Sequence, residues 1–160
     1  ILVIFLLLVI LLKSFSMPLI ILLVVPVAST GGIAALALLN QFIKQPLDML
    51  TMLGFVILTG IVVNNAILLV EQTILQVKEE GMQIYDAIVE ATRNRIRPIF
   101  MSTLTSLFGL VPLVIFPGAG SELSRGIGVL VFGGLALSTF ATLLIVPPLL
   151  SVFSKSIKKN

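Results

Sequence analysis

The sequence predicts an all-α, polytopic transmembrane bundle: one truncated span, four complete spans and a cytoplasmic amphipathic helix. Three observations lead there. Apolar residues make up 58% of the chain and charged residues 11%, with a mean hydropathy of +1.22. A soluble domain of 160 residues cannot hide that much apolar surface. The charges are also segregated: residues 18–39, 49–70, 98–116 and 126–153 contain no Asp, Glu, Lys or Arg, and each stretch is long enough to cross a bilayer. Finally, the basic residues of the connectors collect on one side.

Residues 1–12 are apolar throughout. Twelve helical residues reach only about 18 Å, against a hydrocarbon core of roughly 30 Å. The run lacks the basic flank and small-residue cleavage site of a signal peptide. It is therefore read as a span cut short, with the chain as the C-terminal piece of a longer polypeptide. Pro18 opens the span at 18–39, where its missing N–H costs little.

The span at 49–70 holds the most informative residues, the adjacent amides Asn64 and Asn65. Lipid cannot satisfy a carboxamide, so polar groups at this depth face a bundle interior or a water path. Two roles are open to the pair. One is interhelical hydrogen bonding, which contributes roughly 0.6–2 kcal/mol per contact; the other is a part in transport. Glu71, seven positions after Asn64, reads either as an interfacial residue or as part of the same polar face.

Residues 72–92 differ in kind. Ile74, Val77, Met82, Tyr85, Ile88 and Val89 recur at roughly helical spacing among Lys78, Glu79, Glu80, Asp86 and Glu90. The pattern predicts a surface helix on the cytoplasmic face, with the next span beginning at Pro98. Arg93, Arg95 and Arg97 precede that proline. They either pin the span end to the cytoplasmic side or supply one arginine to a polar core. Arg95 and Ser102 are seven apart, on one face if the helix continues through Pro98.

Small residues repeat every four positions at Gly31 and Ala35, at Ser102 and Ser106, and at Gly134, Ser138 and Thr142. Such stripes let helix backbones approach closely. Alternating crossings place Lys13, Lys78, Arg93, Arg95, Arg97, Lys155, Lys158 and Lys159 on one side, and only Lys44 and Arg125 on the other. The side rich in cations, including the C-terminus, is expected to be cytoplasmic.

The chain has no Cys and no His, which excludes disulfides, Cys/His metal centres and a histidine-based nucleophile. It has no phosphate-binding loop of the G-x-x-x-x-G-K-[ST] type. Tyr85-Asp86 has no G-x-G-D partner, so an aspartyl intramembrane protease is also excluded. No enzyme activity, metal, cofactor or nucleic-acid partner is expected.

Five strings occur in order: Phe15-Ser-Met-Pro-Leu, Gly60-Ile-Val-Val-Asn-Asn-Ala-Ile-Leu-Leu-Val-Glu71, Arg95-Ile-Arg-Pro-Ile-Phe-Met-Ser102, Gly109-Leu-Val-Pro-Leu-Val114 and Gly118-Ala-Gly-Ser121. With them the chain resembles the C-terminal membrane portion of resistance–nodulation–division efflux pumps, in the hydrophobe and amphiphile exporting branch. The resemblance covers essentially all of it. It implies a proton-driven, multidrug-type exporter in the bacterial inner membrane, built as a homotrimer with a periplasmic adaptor and an outer-membrane channel. The partners of this piece would be lipid and the N-terminal half of the same pump.

The resemblance also implies that Gly60–Ile67 is the repeat-related copy of a paired-aspartate motif in the other half, with Asn64 and Asn65 in place of the carboxylates. Asn64 matches a position where well-known members carry lysine; Arg95 and Ser102 match an arginine and a hydroxyl residue of the proton relay. An amide can bond a carboxylate in either protonation state but cannot itself carry the proton near neutral pH. Alternatives are a related exporter of protein or lipid, and a truncated membrane protein that does not transport. Metal export is less expected, since no Met cluster or acidic pathway is present.

Overall fold

A computed structural model of the chain describes residues 1–44, 48–116 and 118–153, without the side chains of 121–123. The described residues form helices and no strand: α1 (Leu2–Leu12), α2 (Ser16–Asn40), α3 (Met49–Lys78), α4 (Ile84–Ile115) and α5 (Ser121–Val152). Four are long and apolar enough to cross a membrane, and α1 is a shorter apolar helix. The chain is a multi-pass membrane bundle.

α5 is the centre of the arrangement, packed on α2, α3 and α4, while α1 lies against α2. The α2–α5 contact is the closest because it is made of small residues. A Cβ placed on Gly31 would meet Leu137 Cβ at 2.7 Å, and one on Gly133 would meet the Gly31 carbonyl oxygen at 2.8 Å. Gly134 faces Leu58 of α3, with Ser138 and Thr142 buried further along α5. Two of the expected small-residue stripes therefore mark helix contacts. The third does not, since Ser102 is exposed and Ser106 only half-buried.

The start of α3 is set locally. Asp48 has extended backbone and its Oδ1 accepts from the Thr51 N–H at 2.8 Å and from Thr51 Oγ1 at 2.7 Å. Those bonds satisfy an otherwise orphaned helix donor. They also hold the Asp48 carboxyl below the usual carboxylate range.

The surface helix expected over 72–92 does not form as one element. α3 continues past the charge-free stretch to Lys78, the chain turns through residues 79–83, and α4 begins at Ile84. Gly81, at φ 64°, supplies the left-handed residue of that turn. Packing explains the division. Ile74 and Val77 lie against the core as an extension of α3, and Ile88 and Ala91 are buried as the beginning of α4.

Pro98 likewise begins no helix, because α4 runs straight through it. Ala87, Ala91, Ile99 and Thr103 are buried at four-residue multiples on both sides of the proline. A continuous buried stripe outweighs the single backbone hydrogen bond that proline forfeits. Arg125 also departs from its expected place in a connector: it lies within α5 and is buried.

Candidate functional site

The polar residues of α3 sort onto two faces. Asn65, Gln72 and Gln76 stand seven and four positions apart, which places them along one side of the helix. Asn65 and Gln76 are buried, and Gln72 is half-buried. Asn64 and Glu71 are exposed on the neighbouring side. The adjacent amides thus point to different surroundings, as residues about 100° apart on a helix must.

Arg95 reaches across from α4 to the buried side. Its Nη2 donates to Gln72 Oε1 at 3.2 Å, so an amide, not a carboxylate, receives the guanidinium. Because α4 is continuous through Pro98, Arg95 and Ser102 do share a helix face, about 10 Å apart along the axis. Ser102 is exposed. No side-chain hydrogen bond joins Asn64, Asn65, Arg95 and Ser102 to one another among the described residues.

A second polar contact crosses the bundle between α4 and α5. Thr103 Oγ1 and Thr139 Oγ1 lie 2.8 Å apart in the buried interface. Thr139 already donates its hydroxyl proton to the Leu135 carbonyl at 2.8 Å. Thr103 is therefore the donor and Thr139 the acceptor. Phe100 and Phe140 meet edge-to-face beside this pair, with centroids 6.2 Å apart.

Two buried polar atoms have no partner among the described residues, Gln76 Oε1 and Arg125 Nε. The expectation of four site residues missed Gln72, Gln76, Thr103 and Thr139. For Gln72 and Gln76 the signal was available, since they continue the spacing of Asn65. The threonines had none, because a threonine in an apolar span commonly bonds its own helix.

The open face is the remaining feature. Asn64 on α3 and Ser102 on α4 are uncovered, as are Gly60 and Gly109, where an added Cβ would meet nothing within 4 Å. Of the four spanning helices, α4 is the least buried. On both helices these small and polar groups stand among exposed apolar side chains such as Val56, Met101 and Phe108, within charge-free stretches where hydrocarbon offers no hydrogen bonds.

The model of the AcrB/AcrD/AcrF family matches residues 1–154. A crystal structure of a heavy metal efflux pump superposes on the chain with a TM-score of 0.80 at 31% identity. The similarity covers 98% of this chain and 15% of that pump, so the chain spans a small part of its length.

Proposed function

The chain belongs to the AcrB/AcrD/AcrF family of resistance–nodulation–division efflux transporters, and we propose that it supplies the C-terminal part of the membrane domain of a proton-driven exporter of hydrophobic or amphiphilic compounds. The observation that carries this reading is the exposure of Asn64 on α3 and of Ser102 on α4, each within a charge-free stretch. Lipid leaves such groups unsatisfied, whereas a second helical half carrying the proton-binding carboxylates would satisfy them. The Asn64 carboxamide would bond a carboxylate in both of its protonation states. Asn65 and Arg95 would act through the polar side of α3, where Arg95 bonds Gln72.

In this reading the chain performs no chemistry of its own and needs no cofactor, the proton gradient being the energy source. The assembly would be a homotrimer in the bacterial inner membrane, C-terminus in the cytoplasm, joined to a periplasmic adaptor and an outer-membrane channel. Export of a heavy metal is the second reading, favoured by the similarity to the heavy metal efflux pump; the metal would be cargo.

The intact transporter in proteoliposomes with an imposed pH gradient tests both. The proposal expects proton-coupled transport of an amphiphilic dye, most of it lost in Asn64→Leu while trimer assembly persists. Transport of a heavy metal ion and not of dye would favour the second reading. Unchanged coupling in Asn64→Leu would remove the role assigned to that amide.

A further inference from the structure

Away from the open face, the first half of α4 and the last turns of α5 enclose a groove of about 730 Å³. Its walls include Val89, Ile96, Leu143 and Leu144, and its polar members are Thr92 and Arg93. An apolar surface is ordinary on a membrane protein; the polar groups here are not.

Arg93 is exposed, no carboxylate lines the groove, and the guanidinium has no ion-pair partner among the described residues. Thr92 Oγ1 spends its proton on the Ile88 carbonyl at 2.8 Å, which leaves Arg93 as the side-chain donor. On the facing helix, Pro147 and Pro148 line the same groove. Neither has an N–H, so the carbonyls of Leu143 and Leu144 lose their usual helical partners four residues on. The groove thus joins one cation and a wall of aliphatic side chains, and two of its lining residues, Leu143 and Leu144, have carbonyls short of their helical donors.

We propose that this groove is a specific site for an anionic glycerophospholipid whose head group carries hydroxyl donors, of the phosphatidylglycerol kind. The phosphodiester is taken by Arg93, which can pair bidentately with it. Head-group hydroxyls are taken by the Leu143 and Leu144 carbonyls, and an acyl chain covers Val89, Ile96 and Leu144. The placement suits the membrane boundary. Arg93 stands five residues before the charge-free stretch that begins at Pro98, and Pro147 stands five residues before the end of α5. A zwitterionic choline lipid has the phosphate but no hydroxyl donor, so it fits the carbonyl side poorly.

The test is photocrosslinking of the intact transporter in nanodiscs of phosphatidylglycerol and phosphatidylcholine, with a benzophenone on Val89→Cys in a background free of other reactive cysteines. Mass spectrometry of the adduct is expected to show phosphatidylglycerol above its share of the bilayer. Arg93→Gln should lower that adduct about tenfold, the effect of losing a hydrogen bond to a charged group. Leu144→Trp, which fills the groove without touching the charge, should lower it as well, and thermal unfolding confirms that both variants fold. Adducts in the bilayer ratio, adducts indifferent to both substitutions, adducts to a protein segment, or no lipid adduct would each overturn the proposal.

Discussion

Arg95 on α4 is held by Gln72 on α3, Nη2 to Oε1 at 3.2 Å, a few residues before the charge-free stretch of α4 begins. The contact assigns the arginine to the buried side of α3, away from the exposed Asn64. Replacing Gln72 with Leu removes the acceptor and leaves a half-buried cation without one. A double-mutant cycle with Arg95→Ala in detergent-solubilised protein should give a coupling of about 1 kcal/mol. Strict additivity of the two substitutions would show that the bond does not tie the helices.

Thr103→Val removes the donor to Thr139 but leaves Thr139 bonded to Leu135. The expected loss is about 1 kcal/mol in thermal or denaturant unfolding. Thr139→Val should be no worse, because the Thr103 hydroxyl can turn to a carbonyl of its own helix. The double Val variant should lose less than the two singles together.

Gly133 is where α2 and α5 come closest, and its hypothetical Cβ would press on the backbone oxygen of Gly31. Backbone cannot swing aside as a side chain can. Gly133→Leu should destabilise by about 1–3 kcal/mol or more, the range for overpacking. Gly109→Ala, where nothing lies within 4 Å, provides the contrast in the same melting experiment: in the intact transporter it reports whether that face is covered.

Asp48 caps α3 as a carboxylate, and its hydrogen bonds with Thr51 keep its pKa low in the folded chain. The stabilisation is therefore fully present above the unfolded-state pKa and disappears as pH falls through the lower folded value. Protection of the first turn of α3 against hydrogen exchange, taken relative to the intrinsic rate at each pH, should fall in that acid window. Asp48→Ala should show low protection at every pH, and Asp48→Asn should keep most of the cap with no acid transition.

The sequence by itself determined which stretches form helices long and apolar enough to cross a membrane. Crossing depends on length and hydropathy; residues 18–39 and 49–70 each lie within one helix, and 126–152 lie within α5, with Phe153 just past its end. It also located Asn64 and Asn65 as polar groups in an apolar helix, and Gly31 with Ala35 as a contact stripe.

Tertiary structure decided everything that depends on a partner helix. Composition gave Pro98 as a helix start and 72–92 as a separate element, yet burial of Ala91, Ile99 and Thr103 carries α4 across the proline. Nothing in the order of residues says that Asn65 is inside and Asn64 outside, that Arg95 meets Gln72 or that Thr103 donates to Thr139. Local propensity and hydropathy are summed along the chain and can be read from it. Which face is buried is settled by the surfaces other helices bring, and those are fixed only when the bundle closes.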